Sequence, residues 1–160
     1  MNKLTLPNLL SGIRLALALP SAWFTWQQQW SIAAVLLLIA VATDFLDGWV
    51  ARRNDQVSAF GGLLDHASDA IFVTATLAGL AGLGVVPMVL PFLVAIAFSQ
   101  YVLDSNALAG QPLRASQLGR YNGIAYFVLA GFPILQAAID IPLVPVLWFY
   151  RVGWLLVATT

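Results

Sequence analysis

The chain has 160 residues, of which 61% are hydrophobic and only 9% charged. A water-soluble domain carries roughly a quarter charged residues, so this composition cannot cover a water-facing surface and excludes a soluble globular protein. Seven basic residues balance seven acidic ones, with no charge run to bind nucleic acid or keep the chain disordered, and the absence of cysteine removes disulfides and thiolate chemistry.

The expectation is an all-α integral membrane protein. A spanning helix takes about 20 apolar residues, and the breaks in the sequence predict six helices in one domain over residues 1–160. The first is expected from Pro7 to Trp26. A signal peptide is the competing reading of this stretch, with Lys3 ahead of it, but Asn8 and Arg14 interrupt the run and no small-residue cleavage site stands out. The second helix is expected from Ser31 to Arg52, the third from Ser58 to Leu83, and the fourth from Pro87 to about Ala109. The fifth follows from Ser116 to Ala137 and the sixth from Pro142 to the end. Turn residues separate them: Gly82, Gly84 and Pro87, then Gly110 and Pro112, then Asp140 and Pro142.

Orientation follows from the basic residues. The turns at Trp26–Trp30, Leu83–Pro87 and Ala138–Ile141 contain no Lys or Arg. Lys3, Arg52, Arg53 and Arg114 fall on the other side, with Arg120 just inside its helix, which predicts that side and both termini to be cytoplasmic. Trp23, Trp26 and Trp30 are expected at the opposite interface.

The acids carry the functional signal. All seven are aspartates, and Asp44, Asp47, Asp65 and Asp69 fall within 26 residues on two predicted membrane helices. An Asp near a helix centre costs about 2.5–3.5 kcal/mol to insert, so intramembrane acids read as functional. Asp44, Asp47, Gly48, Ala51 and Arg52 share one helical stripe, as do Ser58, Gly61, Asp65 and Asp69. A short connection around Asn54–Val57 makes the two helices antiparallel, and their stripes are expected to face each other at the cytoplasmic end. Four neighbouring carboxylates require compensating positive charge. An all-oxygen donor set suits Mg²⁺ or Mn²⁺, and more than two acids points to a pair of ions, the arrangement used for displacement at phosphorus. Gly48, Ala51 and Gly61 leave room for a ligand; helix packing is the alternative use of such small residues.

As a string, these residues read DFLDGWVARRNDQVSAFGGLLDHASD, Asp44 to Asp69. This resembles the signature of the CDP-alcohol phosphotransferase (CDP-alcohol phosphatidyltransferase) family at all eight fixed positions. The stretch Pro7 to Arg14 is similar to the family's amino-terminal segment. The resemblance implies six membrane helices, commonly a homodimer, and an active site between helices 2 and 3. It also implies transfer of a phosphoalcohol from a CDP-alcohol, usually CDP-diacylglycerol, to a hydroxyl acceptor with release of CMP. By the same resemblance Asp44, Asp47, Asp65 and Asp69 hold two divalent ions and Asp69 is the general base. Gly48, Arg52, Ser58 and Gly61 belong to the nucleotide site, with Asn8 and Ser11 at its edge.

Arg114, Arg120 and Arg151 are candidates for an anionic acceptor pocket; setting topology or forming an ion pair is the bland alternative. Arg151, about the middle of the sixth helix, is expected to face the cleft or a carboxylate. His66 points about 100° off the acidic stripe and reads as a packed or interfacial residue. Gln100 and Asp104 form an i, i+4 pair that extends the pocket; Asp55 and Asp140 are loop and turn charges. The short chain and the Arg114–Arg120 segment resemble the bacterial phosphatidylglycerophosphate synthase group, which implies glycerol 3-phosphate as acceptor. Phe98-Ser99-Gln100 and His66-Ala67-Ser68-Asp69-Ala70 depart from that group. Inositol phosphate, serine, an amino alcohol and phosphatidylglycerol therefore stay open. The rivals from other classes are a divalent-cation transporter and a silent membrane scaffold. A transporter predicts acids spread along a path, whereas these cluster at one end of one hairpin. The expected setting is a bacterial or archaeal cell membrane.

Overall fold

Six α-helices and no strand make up the described residues, 5–54, 58–105 and 116–160, of the computed structural model. They are α1 Leu6–Trp26, α2 Trp30–Arg53, α3 Ala59–Gly82, α4 Leu90–Asp104, α5 Gln117–Ala138 and α6 Val146–Thr159. Three begin on a side-chain cap. The Thr5 hydroxyl accepts from the Asn8 backbone N–H at 3.4 Å, and Ser58 and Ser116 accept from Gly61 and Gly119 at 3.0 Å. Turns fall at the expected punctuation: Gly84 takes φ +72°, a region a Cβ disfavours, and Asp140 takes φ +55° after α5. The expected turn at Gly110 and Pro112 lies outside the described residues.

Two helices start later than expected. The fourth begins at Leu90 rather than Pro87, after a tight turn in which the Leu90 N–H donates to the Pro87 carbonyl at 3.1 Å. The sixth begins at Val146 rather than Pro142. Ile141 and Val144 each precede a proline, which drives them out of the helical region. The Gln136 amide then clamps Val144, donating to its carbonyl at 3.0 Å and accepting from its N–H at 3.1 Å.

The largest departure concerns helix neighbours. Helix α1 packs closely on both α2 and α3, whereas α2 and α3 make little direct contact with each other. The two acidic stripes still converge as expected, but with α1 packed against both helices rather than across a bare hairpin. The buried residues of α1, Pro7, Ser11, Arg14, Ala18, Ser21 and Thr25, recur every three or four positions, so they form one face. Apart from Arg14 that face is small, which lets the backbones approach. The approach is closest at Gly79, where a Cβ would stand 2.7 Å from the Ala22 carbonyl oxygen and 3.1 Å from Thr25 Cβ. Nearby, the Ser21 and Thr76 hydroxyls share a 2.9 Å hydrogen bond. Gly79→Val is expected to destabilise the protein by about 1–3 kcal/mol through overpacking. The measurement is the unfolding midpoint of purified protein, and an unchanged midpoint would contradict this tight contact.

Helix α5 packs on α2 and α3, and α6 on α5 and α4. Leu77, Leu80, Leu90 and Ile134 are completely buried in the core that results. A smaller cluster of Ala18, Leu37, Ala40 and Phe72 lies where α1, α2 and α3 meet. Helices α2 and α5 are long and apolar enough to cross a membrane; α4 and α6 are apolar but shorter, at 15 and 14 residues.

Candidate functional site

Asp44 and Asp47 project from the last turns of α2, and Asp65 and Asp69 from the second and third turns of α3. All four converge on one side chain from α1. Arg14 is 1% exposed. Its Nη2 lies 2.6 Å from Asp47 Oδ2, and its Nη1 lies 2.9 Å from Asp65 Oδ1 and 3.3 Å from Asp44 Oδ1. Nη1 also contacts Asp69 Oδ1 and lies 3.3 Å from Ser68 Oγ.

The cluster is closed on one side and open on the other. The Asp47 side chain is 4% exposed, against 30% for Asp65, 40% for Asp69 and 52% for Asp44. The closed side is apolar: Ala18, Ala40 and Phe72 sit one helical turn inward of Arg14, Asp44 and Asp69, joined by Leu37. Carboxylate oxygens of Asp44, Asp47 and Asp65 lie within 4.8 Å of one another, with Asp44 the most exposed of the three and Asp47 buried. This is an acidic cluster able to hold a metal ion. Its donors are all oxygen, which suits a hard divalent cation. Four ionised acids against the single guanidinium at their centre leave three charges without compensation there, so the chemistry of the donor set fits added positive charge.

Most of the residues expected to contact a nucleotide continue the acidic stripes of α2 and α3 toward the hairpin end, Gly48 one turn from Asp44 and Gly61 one turn from Asp65. The Arg52 guanidinium folds back over Gly48, where a Cβ would stand 3.2 Å from Nη1 and 3.7 Å from Nη2. Arg52 forms no ion pair among the described residues. Beside Gly61 stand Ser58 Oγ and Asn8 Oδ1, 3.1 and 3.2 Å from where a Cβ would sit. The amino-terminal turns of α1 and α3 therefore meet there. Ser11 differs from the expectation. It is 2% exposed, and its hydroxyl donates to Asp47 Oδ2 at 3.2 Å, so it orients a carboxylate rather than bordering the opening.

The acceptor-pocket arginines fare unevenly. Arg120 is exposed on the first turn of α5, and Arg114 and Asp55 lie outside the described residues. Arg151 is not brought to the aspartates. Helix α6 buries Phe149, Gly153 and Leu156, and Arg151 sits about 200° from Phe149, on the opposite face. It is exposed and stacks over Trp148 with 5.6 Å to the ring centroid. His66 lies on the outer side of α3 with Nδ1 2.8 Å from the Gly62 carbonyl, and Gln100 and Asp104 are exposed on α4.

Arg14 is the site residue that sequence reasoning missed. The signal was present: an arginine about two turns inside an apolar helix, on the stripe of Pro7 and Ser11. The insertion cost that singled out the aspartates applies to it equally.

Known proteins resemble this chain in the same terms. A CMP-forming cardiolipin synthase from Streptomyces coelicolor is 37% identical over 91 residues, covering 53% of this chain and 42% of that protein. A CDP-diacylglycerol–glycerol-3-phosphate 3-phosphatidyltransferase from Aquifex aeolicus is 36% identical over 69 residues, covering 43% of this chain and 39% of that protein. The enzyme of that name from Cereibacter sphaeroides is 27% identical over 146 residues, covering 85% and 66%. The matched stretch thus spans under half the length of the first two relatives. No solved structure matches the chain. The profile of CDP-alcohol phosphatidyltransferases matches residues 4–160, which takes in all six helices and every position of the aspartate signature, and the chain belongs to that family.

Proposed function

We propose that this chain is an integral membrane transferase that moves a phosphatidyl group from CDP-diacylglycerol, or a similar CDP-alcohol, to a hydroxyl acceptor and releases CMP. The observation that carries the reading is the convergence of four aspartates on one open-sided cluster in a chain of this family. Asp44, Asp47, Asp65 and Asp69 would hold two Mg²⁺ or Mn²⁺ ions, whose chemistry is to neutralise charge on the pyrophosphate as CMP departs. Arg52 offers a planar fork of donors to phosphate oxygens. Gly48 and Gly61 keep the space beside Arg52, Ser58 and Asn8 free of side chains, so the nucleotide reaches these groups. Ser11 holds Asp47 in place. Asp69, less buried than Asp47, takes the proton from the acceptor hydroxyl. The apolar layer of Ala18, Leu37, Ala40 and Phe72 blocks water from the closed side.

A bilayer suits the outer surface. Leu19 on α1, Phe45 on α2, Phe92 on α4 and Leu155 on α6 are 79%, 71%, 65% and 67% exposed. Apolar surface on so many faces needs a cover. In this reading all six helices form one membrane domain, the acidic opening faces the cytoplasm, and the protein works as a homodimer. The donor's acyl chains stay in lipid while its head group enters the opening.

Glycerol 3-phosphate is the first acceptor in this reading, with exposed Arg120 available to its phosphate. The likeness to a CMP-forming cardiolipin synthase favours phosphatidylglycerol as the second. The test offers purified protein CDP-diacylglycerol, Mg²⁺ or Mn²⁺, and a panel of hydroxyl acceptors. The expected result is CMP release with one acceptor and none after chelation. Absence of release with every acceptor, from folded protein, would overturn the reading.

A further inference from the structure

The Arg14 guanidinium lies among the same carboxylates that would hold an ion. Its Nη1 carries two hydrogens yet faces four oxygens, those of Asp44, Asp65, Asp69 and Ser68. Two hydrogens cannot satisfy four acceptors, so the arrangement is closer to the surroundings of a cation than to a paired hydrogen-bond fork. An Mg²⁺ ion bound to those oxygens would lie about 2.0–2.1 Å from each. An ion so placed and Nη1 compete for one space as well as for one set of charges. The rest of the guanidinium adds no hydrogen bond among the described residues: its Nε is buried without a partner, so the group is anchored by its two tip nitrogens alone.

We propose that Arg14 is the cluster's resident counter-cation, holding the four carboxylates together when no divalent ion is present and giving up its seat when an ion enters. The proposal rests on the reading of the aspartates as a metal site. Without a cation, helices α2 and α3 would present four like charges to one another. With Arg14 in place the site stays assembled, at the cost of weaker ion binding. Arg14 thus acts as a positioning residue that sets how readily the site loads.

The test measures binding of Mn²⁺ alone to the purified full chain by titration calorimetry at mildly alkaline pH. Arg14→Gln is expected to bind at least about tenfold more tightly than the unaltered protein, a change of about 1.4 kcal/mol, with Arg14→Lys between the two. A second measurement keeps the question open to refutation should Arg14→Gln not fold. In protein labelled with ¹⁵N-arginine, the Nε–H resonance missing from Arg14→Lys is expected to shift as Mg²⁺ is added, in step with binding. Equal or weaker binding by Arg14→Gln, or an Arg14 resonance that stays put while Mg²⁺ binds, would overturn the proposal and leave the metal site standing. Binding by Arg14→Gln but not by the unaltered protein would support it. Binding by neither would remove the metal site, and the proposal with it.

Discussion

Replacing Asp69 by asparagine is expected to lower CMP release by about a thousandfold or more while the protein stays folded. General-base catalysis is worth roughly 10²–10⁴ in rate, and this position would also lose a charged donor to the metal site. Asparagine keeps the shape of aspartate and an oxygen that can accept from Arg14, so the packing of α1 on α3 is preserved. What it cannot do is take up a proton from the acceptor hydroxyl. The measurement pairs CMP release under saturating donor with the unfolding midpoint of the same preparation. An unchanged midpoint with turnover above about a tenth of the original would fall outside the range expected of a lost general base and remove Asp69 from that role.

Replacing Arg14 by alanine acts first on stability. Breaking a buried ion pair by deleting one partner costs about 3–5 kcal/mol, because the remaining charge is left uncompensated in a poor solvent. Here the pair that matters is Arg14 with Asp47, both nearly fully buried and 2.6 Å apart. Asp44, half exposed, contributes little, as exposed pairs generally do. The loss is expected in full in the presence of a chelator, read from denaturant or thermal unfolding. Added Mg²⁺ or Mn²⁺ should restore part of it, because an ion that binds the folded form stabilises it by mass action. A change below about 1 kcal/mol in chelator would mean that the aspartates are not buried as acids beside a required cation.

Local chemistry made much of the fold readable in advance. Thr5, Ser58 and Ser116 stand where a hydroxyl caps a helix, and Gly84 and Asp140 stand where the backbone turns left-handed. The starts of α4 and α6 were harder to read. Pro87, Pro142 and Pro145 can open a helix or a turn, and the outcome depends on contacts such as Gln136 with Val144, eight residues apart. Arg151 was expected near the middle of a helix starting at Pro142 and facing the cleft; α6 starts at Val146, nearer to it, and Arg151 is on the outer face. That direction follows from α6 packing Phe149, Gly153 and Leu156 inward.

By itself the sequence determined the apolar character of the chain, its division into six helices, the two stripes of aspartates and the family signature that they spell. Those features depend on spacing along the chain, and a helix converts spacing into a shared face without help from its neighbours. Only the tertiary structure decided that α1 packs against both α2 and α3, that Ser11 serves Asp47, and that Arg14 sits at the centre of the four acids. Periodicity carries no information about which helix meets which. That choice came from the close fit of Ala22 and Thr25 against Gly79, and from two acidic stripes that need a cation between them.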